Sequence, residues 1–281
     1  MAMETNEERR RAIITLTTDF GVADPYVAAM KGVALAINPA AHLIDISHEV
    51  LPQRLLQAVF ITQMAWRFFP AEAIHLVVVD PGVGSERRGL AMATPYGLFV
   101  GPDNGILSAA LPDDARLQEG DGPSLITLPP GYRAVALTEQ RYQRTPVSAT
   151  FHGRDIFAPA AAHLSLGTSL EELGELTDAV LAFAPLRARQ RADGALEARV
   201  VHIDRYGNVL TDIRAEDVPD GPYVVEVGGR SVAGAVRTYG EAEEPAALIG
   251  SHGFVELAVQ GRSAARALNV DIGAGVVLRR R

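Results

Sequence analysis

The chain has no cysteine. That removes disulfides, thiolate metal ligands and a cysteine nucleophile together, and it fits a reducing cytoplasm. It also lacks any apolar run near the ~20 residues that span a bilayer. Residues 1–11 are polar and charged with no apolar core, so they read as a tail rather than a secretory signal. An excess of positive charge is missing as well: 26 Lys and Arg stand against 34 Asp and Glu, for a net charge of −8. The charges are interspersed, which argues against a nucleic-acid or membrane partner. No internal repeat and no low-complexity tract occurs. What is present is 281 residues, 48 % of them hydrophobic, enough for one large domain or two ordinary ones. A soluble cytoplasmic globular protein is expected.

The first two-thirds alternates strand and helix signals. Residues 13–17 read as a buried strand, and Asp24-Pro25 as the start of a helix carrying Val27, Met30, Ala34 and Ile37 at helical spacing. Residues 42–46 form a second strand, 51–68 a helix, and 74–79 an apolar strand of the kind buried at the centre of a sheet. Short strands flank Pro95. A helix is expected over 155–166, followed by a capping box at Ser169-Leu170-Glu171-Glu172 that opens another. Beyond Pro185 the pattern changes to short β-type runs separated by Gly and Asn turns, with no clear helical signal. The predicted fold class is a larger N-terminal α/β domain (12–184) with a central, mostly parallel sheet, a linker (185–194), and a smaller all-β, barrel-like domain (195–281).

Four loops gather polar residues where strands end, the place where ligands bind in open α/β sheets. Thr17-Thr18-Asp19-Phe20-Gly21 offers a carboxylate for ribose hydroxyls or a metal, or else one that bonds turn amides. Asp80-Pro81-Gly82-Val83-Gly84-Ser85-Glu86-Arg87 ends an apolar strand. Its glycines match neither a Walker loop nor a dinucleotide fingerprint. Arg87 can fold back onto Asp80, either toward a ligand or as a surface ion pair worth ~0–1 kcal/mol. Thr150-Phe151-His152-Gly153-Arg154-Asp155 precedes a helix: Asp155 reads as its N-cap, and His152 is a proton-transfer candidate or a structural histidine. In the β domain, Tyr206 could stack on a base and Asn208 read its edge. Asp204 and Ser251 could take an ammonium and a carboxylate, although Tyr206-Gly207-Asn208 is also an ordinary hairpin turn.

In this order the motifs resemble the S-adenosylmethionine hydroxide adenosyltransferase family, relatives of the fluorinase and chlorinase. The likeness runs from Ile14 to about Leu278. It is carried by Thr18-Asp19-Phe20-Gly21 with Tyr26-Val27 and Lys31-Gly32, Asp80-Pro81-Gly82-Val83-Gly84, Pro102-Asp103-Asn104-Gly105, Phe151-His152-Gly153-Arg154-Asp155, and Asp204 with Gly207-Asn208. The resemblance implies hydrolysis of S-adenosylmethionine to adenosine and methionine in a homotrimer whose sites lie at subunit interfaces. It implies no cofactor and no metal. Asp80, Arg87 and His152 then correspond to a water-holding catalytic trio and Asp19 to the ribose carboxylate. Tyr206, Asn208 and the backbone around Ala264 correspond to adenine contacts, Asp204 and Ser251 to methionine contacts. Asp45 and His48 match too, and read as structural hydrogen-bonding residues.

Two features separate water from halide. The halide-using relatives carry Tyr-Pro and Tyr-Ser where this chain has Asp80-Pro81 and His152-Gly153. A carboxylate 4 Å from a halide repels it by ~4 kcal/mol at an effective dielectric near 20. A short turn at Pro95-Tyr96-Gly97 also stands where the fluorinase has a long insertion. The chain departs from the halogenases at His252 (an Arg in them), at Arg262-Ser263 (commonly an Asn) and at Gln53, an aromatic in the fluorinase. The alternatives are a nucleoside-binding sensor with little turnover, a halogenase, and a metal-dependent hydrolase using Asp19, Asp80 and His152.

Overall fold

In the computed structural model, which describes residues 12–116, 120, 122–234 and 236–281, the apolar run at Ile74–Val78 is buried at every position. Its side chains serve two cores. Ile74, Leu76 and Val78 pack into one, and Val77 with the following Val79 into the other. Alternating sides of one strand facing two apolar layers is the signature of a central strand. The polar tail, residues 1–11, lies outside the described residues.

The chain divides at Pro185/Leu186 into two units. The first contains β1 (Ile13–Thr18), α1 (Tyr26–Ile37), β2 (His42–Ser47), α2 (Leu55–Ala65), β3 (Ile74–Val78), β4 (Gly89–Thr94), β5 (Gly97–Pro102), β6 (Ser124–Thr127), β7 (Arg133–Ala136), α3 (Ala158–Ser165), β8 (Glu175–Thr177) and β9 (Ala179–Ala182). Its main sheet has the order β2-β1-β3-β5-β4-β7-β8, and β6 pairs with β9 in a separate ribbon. Strands β2, β1, β3, β5 and β7 share one direction, while β4 and β8 oppose it. The strands that follow β1 in sequence, β2 and β3, lie on its two opposite sides. Strand order therefore reverses at β1, which opens a crevice beyond the carboxyl ends of β1 and β3. Met30 of α1 with Ala161 and Leu164 of α3 fill one core; Ala58 of α2 and Trp66 help fill the other. Thr94 pairs with Gly97, so Pro95 and Tyr96 alone make the turn between β4 and β5.

The second unit contains β10 (Arg189–Gln190), β11 (Leu196–Ile203), β12 (Val209–Arg214), β13 (Tyr223–Val227), β14 (Arg230–Gly234), β15 (Ala246–Ile249), β16 (Phe254–Ala258), α4 (Ala264–Leu268) and β17 (Gly275–Arg280). Pairing of β11 with β17 closes seven strands into a barrel, β11-β12-β16-β15-β14-β13-β17. Closure leaves those strands no free edge. Valines and leucines such as Val200, Val225, Val255 and Leu278 fill the interior, joined by Ala264, Ala265 and Leu268 of α4.

Several boundaries differ from the sequence reading. The helix expected over 51–68 is α2 at Leu55–Ala65 with a 3-10 turn at Trp66–Phe68; Pro52 and the left-handed Gln53 (φ 65°) hold residues 51–54 out of it. The helix expected over 155–166 is a π-helical turn at Gly153–Phe157 running into α3. The capping box at Ser169 exists but opens only a 3-10 turn. Helix α1 starts after Pro25 without a side-chain cap from Asp24. Arg189–Gln190 pairs back on β11 around the Asp193-Gly194 turn, and α4 was not legible as a helix in so short a run.

His75 on β3 is wholly buried. Its Nδ1 lies 2.8 Å from Thr15 Oγ1, its ring packs 4.6 Å from Phe99, and burial lowers its pKa from 6.5 to about 4. The folded state thus holds the ring neutral where the unfolded chain would protonate it. This contribution is intact above pH 6.5 and is lost as pH falls toward 4, a total of about 3 kcal/mol. Melting temperature should therefore fall across that interval, and His75→Gln should flatten the slope; thermal melts over a pH series measure both.

Candidate active site

Strands β1 and β3 are paired with Thr18 opposite Val78, so Asp19 and Asp80 leave the sheet at the same end, at the order reversal. Asn104 Nδ2 donates to Val79 O at 2.9 Å and fixes the residue before Asp80. After Asp80 the chain folds back through turns closed by Val83 N to Asp80 O and Ser85 N to Gly82 O. Arg87 therefore returns to the strand end. Its Nε donates to Asp80 Oδ1 at 2.9 Å and its Nη2 to Oδ2. The same Nη2 donates to His152 Nδ1 at 2.7 Å. The Arg87 and Asp80 side chains are only 10 % and 6 % exposed, so this is no surface pair. Arg87 also sits 5.1 Å over the Phe157 ring.

A guanidinium has only donors, so Nδ1 of His152 must accept. The neutral ring then carries its hydrogen on Nε2. Burial, followed by the Arg87 charge, lowers the His152 pKa below 6.5 and favours that neutral form.

Asp19 Oδ2 accepts from Gln53 N at 2.9 Å. Burial raises the Asp19 pKa despite that donor, and Asp80 adds to the rise. Gln53 is one of two non-glycine residues with positive φ among those described, a conformation sequence does not reveal. Beside Asp19, Phe20, Tyr26 and Phe151 form an aromatic trio with centroids 5.3 to 5.8 Å apart.

The reading of Asp155 as an N-cap is corrected. Its buried carboxylate accepts from Arg154 Nε and Nη2 at 2.7 and 2.8 Å and from Ser148 N at 2.9 Å. It pins the loop that carries His152, because the π-helical turn starts before Asp155 and leaves it inside. Asp103, from the Pro102-Asp103-Asn104-Gly105 motif, ties Arg88 to Leu181 N.

In the barrel unit a cavity of about 1570 Å³ is lined by Asp204, Tyr206, Asn208, Tyr239, Ser263, Ala265 and Arg266 among others. Asp204 holds the turn itself. Its Oδ1 accepts from Tyr206 N and Asn208 N, and its Oδ2 from Asn208 Nδ2. Tyr206 is left 80 % exposed while Asn208 is buried. Ala265 N donates to Gly207 O, which locks α4 to this turn. Ala264 is buried between two lining residues. Ser251 is exposed in the turn before β16 and is not part of the lining. Tyr239, which sequence reasoning missed, has its pKa pushed up to about 12 by burial and by the Glu256 and Asp204 carboxylates. Among the described residues no group of three or more His, Asp or Glu is arranged to hold a metal ion, and no helix is long and apolar enough to cross a membrane.

A guanidinium-bridged carboxylate and imidazole at the switch point of an α/β unit, followed by a closed barrel with a cavity of this size, defines a two-unit α/β-plus-barrel protein with a polar reaction centre. Residues 14–174 match the model of the SAM hydroxide adenosyltransferase N-terminal domain and 198–277 that of the C-terminal domain. The chain belongs to the SAM hydroxide adenosyltransferase family. It is 40 % identical to a Thermus thermophilus protein named (R)-S-adenosyl-L-methionine hydrolase, over 93 % of this chain and 97 % of that one. It is 22 % identical to an Actinoplanes fluorinase over 95 % and 97 %. A solved, uncharacterised Thermotoga maritima protein superposes with a TM-score of 0.81 at 32 % identity, over 95 % of this chain and all of that one.

Gly84 and Gly253 share a positive φ of 79° and 80°. A Cβ on Gly84 would lie 2.3 Å from Ala149 O, in the loop before His152, whereas one on Gly253 meets nothing. Gly253→Ala should cost about 1 kcal/mol of backbone strain, and Gly84→Ala about 1–3 kcal/mol more. Urea unfolding of both variants measures the difference.

Proposed function

We propose that this protein hydrolyses S-adenosylmethionine to adenosine and methionine by attack of water on the 5′ carbon. The observation that carries the reading is the buried network in which Arg87 bridges Asp80 and His152, in a chain of this family. The substrate is a sulfonium, so the departing group is a neutral thioether and needs no acid. The water oxygen bonds to C5′, the C5′–S electron pair stays on sulfur, and one proton is released. What remains for the protein is to hold the water in line and take that proton. Asp80 is the acceptor in this reading: it is the anion of the trio, and each of its oxygens keeps a lone pair beyond the bond to Arg87. His152, with Nδ1 committed to Arg87, donates from Nε2 to the water oxygen. Arg87 fixes both partners in one plane.

The same charges select against halide. Asp80 cancels Arg87, and the half-buried Asp19 adds a negative charge beside them. An incoming anion meets net repulsion while the cationic substrate is attracted. Asp19 holds the ribose hydroxyls in this reading. Tyr206 stacks on the adenine, Asn208 reads its edge with its amide oxygen, the backbone around Ala264 completes that contact, and Asp204 with Ser251 takes the methionine end. The homotrimer implied by the family resemblance belongs to the same reading and is checked by mass in solution. The names of the relatives point to the R epimer at sulfur.

Incubation in 18O-water should place the label in the 5′-hydroxyl of adenosine and none in methionine, with no 5′-chloro product in chloride and no loss of rate in a chelator. Recovery of intact substrate for both sulfonium epimers would overturn the reading. Arg87→Lys, which lacks the planar fork that meets both Asp80 oxygens and His152 at once, should lower kcat by ~100-fold or more. Because a protonated His152 would face Arg87 with a second donor, activity should hold down to below pH 6.5 and then fall. His152→Asn, which keeps an acceptor but cannot titrate, should lack that acid limb.

A further inference from the structure

Beneath Asp19 lies a second polar chain, separate from the trio. Lys31 Nζ donates to Asp45 Oδ2 at 2.6 Å. His48 Nε2 lies 2.9 Å from Asp45 Oδ1, and His48 Nδ1 lies 2.8 Å from Thr18 Oγ1. The order hydroxyl–imidazole–carboxylate is that of a nucleophilic triad. Thr18 is wholly buried, however, and His48 nearly so, so no substrate reaches the hydroxyl. The directions of the bonds indicate another use. The Asp45 carboxylate lies close to Nε2 but off the line of an aligned hydrogen bond, and its negative charge still draws the ring hydrogen to that nitrogen, which makes Nδ1 an acceptor for the Thr18 hydroxyl. Thr18 Oγ1 in turn accepts from Phe20 N at 3.3 Å. The carbonyl of His48 also accepts from Gly21 N at 2.7 Å. One residue thus grips the chain on both sides of Asp19-Phe20, through its ring before them and through its backbone after them. Asp19 projects from a segment that cannot shift without breaking one of these bonds.

We infer that His48 is a positioning residue for Asp19: its imidazole, oriented by Asp45, sets the carboxylate that holds the substrate's ribose hydroxyls. The inference rests on the ribose role of Asp19 proposed above. It separates cleanly from a purely structural role, because a general loss of folding lowers turnover of every substrate alike. A misplaced Asp19 specifically erodes the preference for a ribose with both hydroxyls.

Two variants divide the imidazole's functions. In His48→Asn the side-chain oxygen stands near the place of Nδ1 and can still accept from Thr18, while contact with Asp45 is lost. In His48→Gln the amide extends toward Asp45 and the Thr18 bond is lost. The measurement is the ratio of kcat/KM for S-adenosylmethionine to that for its 2′-deoxyribose analogue. A site built to bond the hydroxyl should give a ratio of ~100 or more in the unaltered protein, with His48→Asn keeping most of it and His48→Gln falling below ~10. An unchanged ratio in His48→Gln, even at reduced activity, overturns the inference, and so does an equal loss in both variants. Asp19→Asn is the control. If it keeps the full ratio, the ribose role of Asp19 fails and this inference with it; if it loses the ratio while His48→Gln keeps it, only the role of His48 fails.

Discussion

The structure of the candidate site depends on one guanidinium. Arg87 is nearly out of water, and a cation there is tolerable only when it is paired and hydrogen-bonded. Asp80 meets two of its nitrogens and His152 shares one of them. That requirement reaches well beyond the three residues. The strand end must deliver Asp80, which Asn104 secures through Val79 O. The glycine turn must reverse within seven residues and press against the loop at Ala149. Asp155 must spend its carboxylate on Arg154 and Ser148 so that His152 stays where Arg87 can reach it. Each is a local cost that makes sense only as support for the fork.

The fork also decides the chemistry of the imidazole. A histidine beside a carboxylate would ordinarily be expected to gain a proton. Here a donor occupies Nδ1 and burial disfavours charge, so the ring is held neutral with its hydrogen on the other nitrogen. In the proposed reaction the imidazole is therefore the hydrogen-bond donor to water, and the carboxylate is the group that takes the proton. The charge balance of the proposed site follows the same logic: with Arg87 neutralised by Asp80, the remaining carboxylate of Asp19 favours a sulfonium over a halide.

In the barrel unit the governing constraint is the turn at Asp204. A carboxylate that accepts two amides of its own turn and the Asn208 side chain fixes backbone and side chain together. This is the hairpin-turn reading of Tyr206-Gly207-Asn208, and it is compatible with the proposed ligand role, since the same bonds that shape the turn leave Tyr206 standing exposed over a cavity. Barrel closure through β11 and β17 gives that turn a rigid base, and the bond from Ala265 to Gly207 ties it to α4.

Sequence by itself determined the strand–helix alternation, the two-unit division in outline, the central place of residues 74–78 and the loops bearing Asp19, Asp80 and His152. Those follow from hydrophobic period and turn residues, which are local properties. It also supplied the order of motifs by which the family was legible. Tertiary structure alone decided the rest. Whether Arg87 pairs at the surface or in a buried fork depends on what covers it, and which nitrogen of His152 accepts depends on a residue 65 positions away. Asp155 turned from a cap into a loop pin because the chain entered its helix through a π-helical turn. Gln53 gained a left-handed backbone and a bond to Asp19 that no pattern announces. Local propensity sees neighbours in the chain, whereas burial, tautomer and charge are set by neighbours in space.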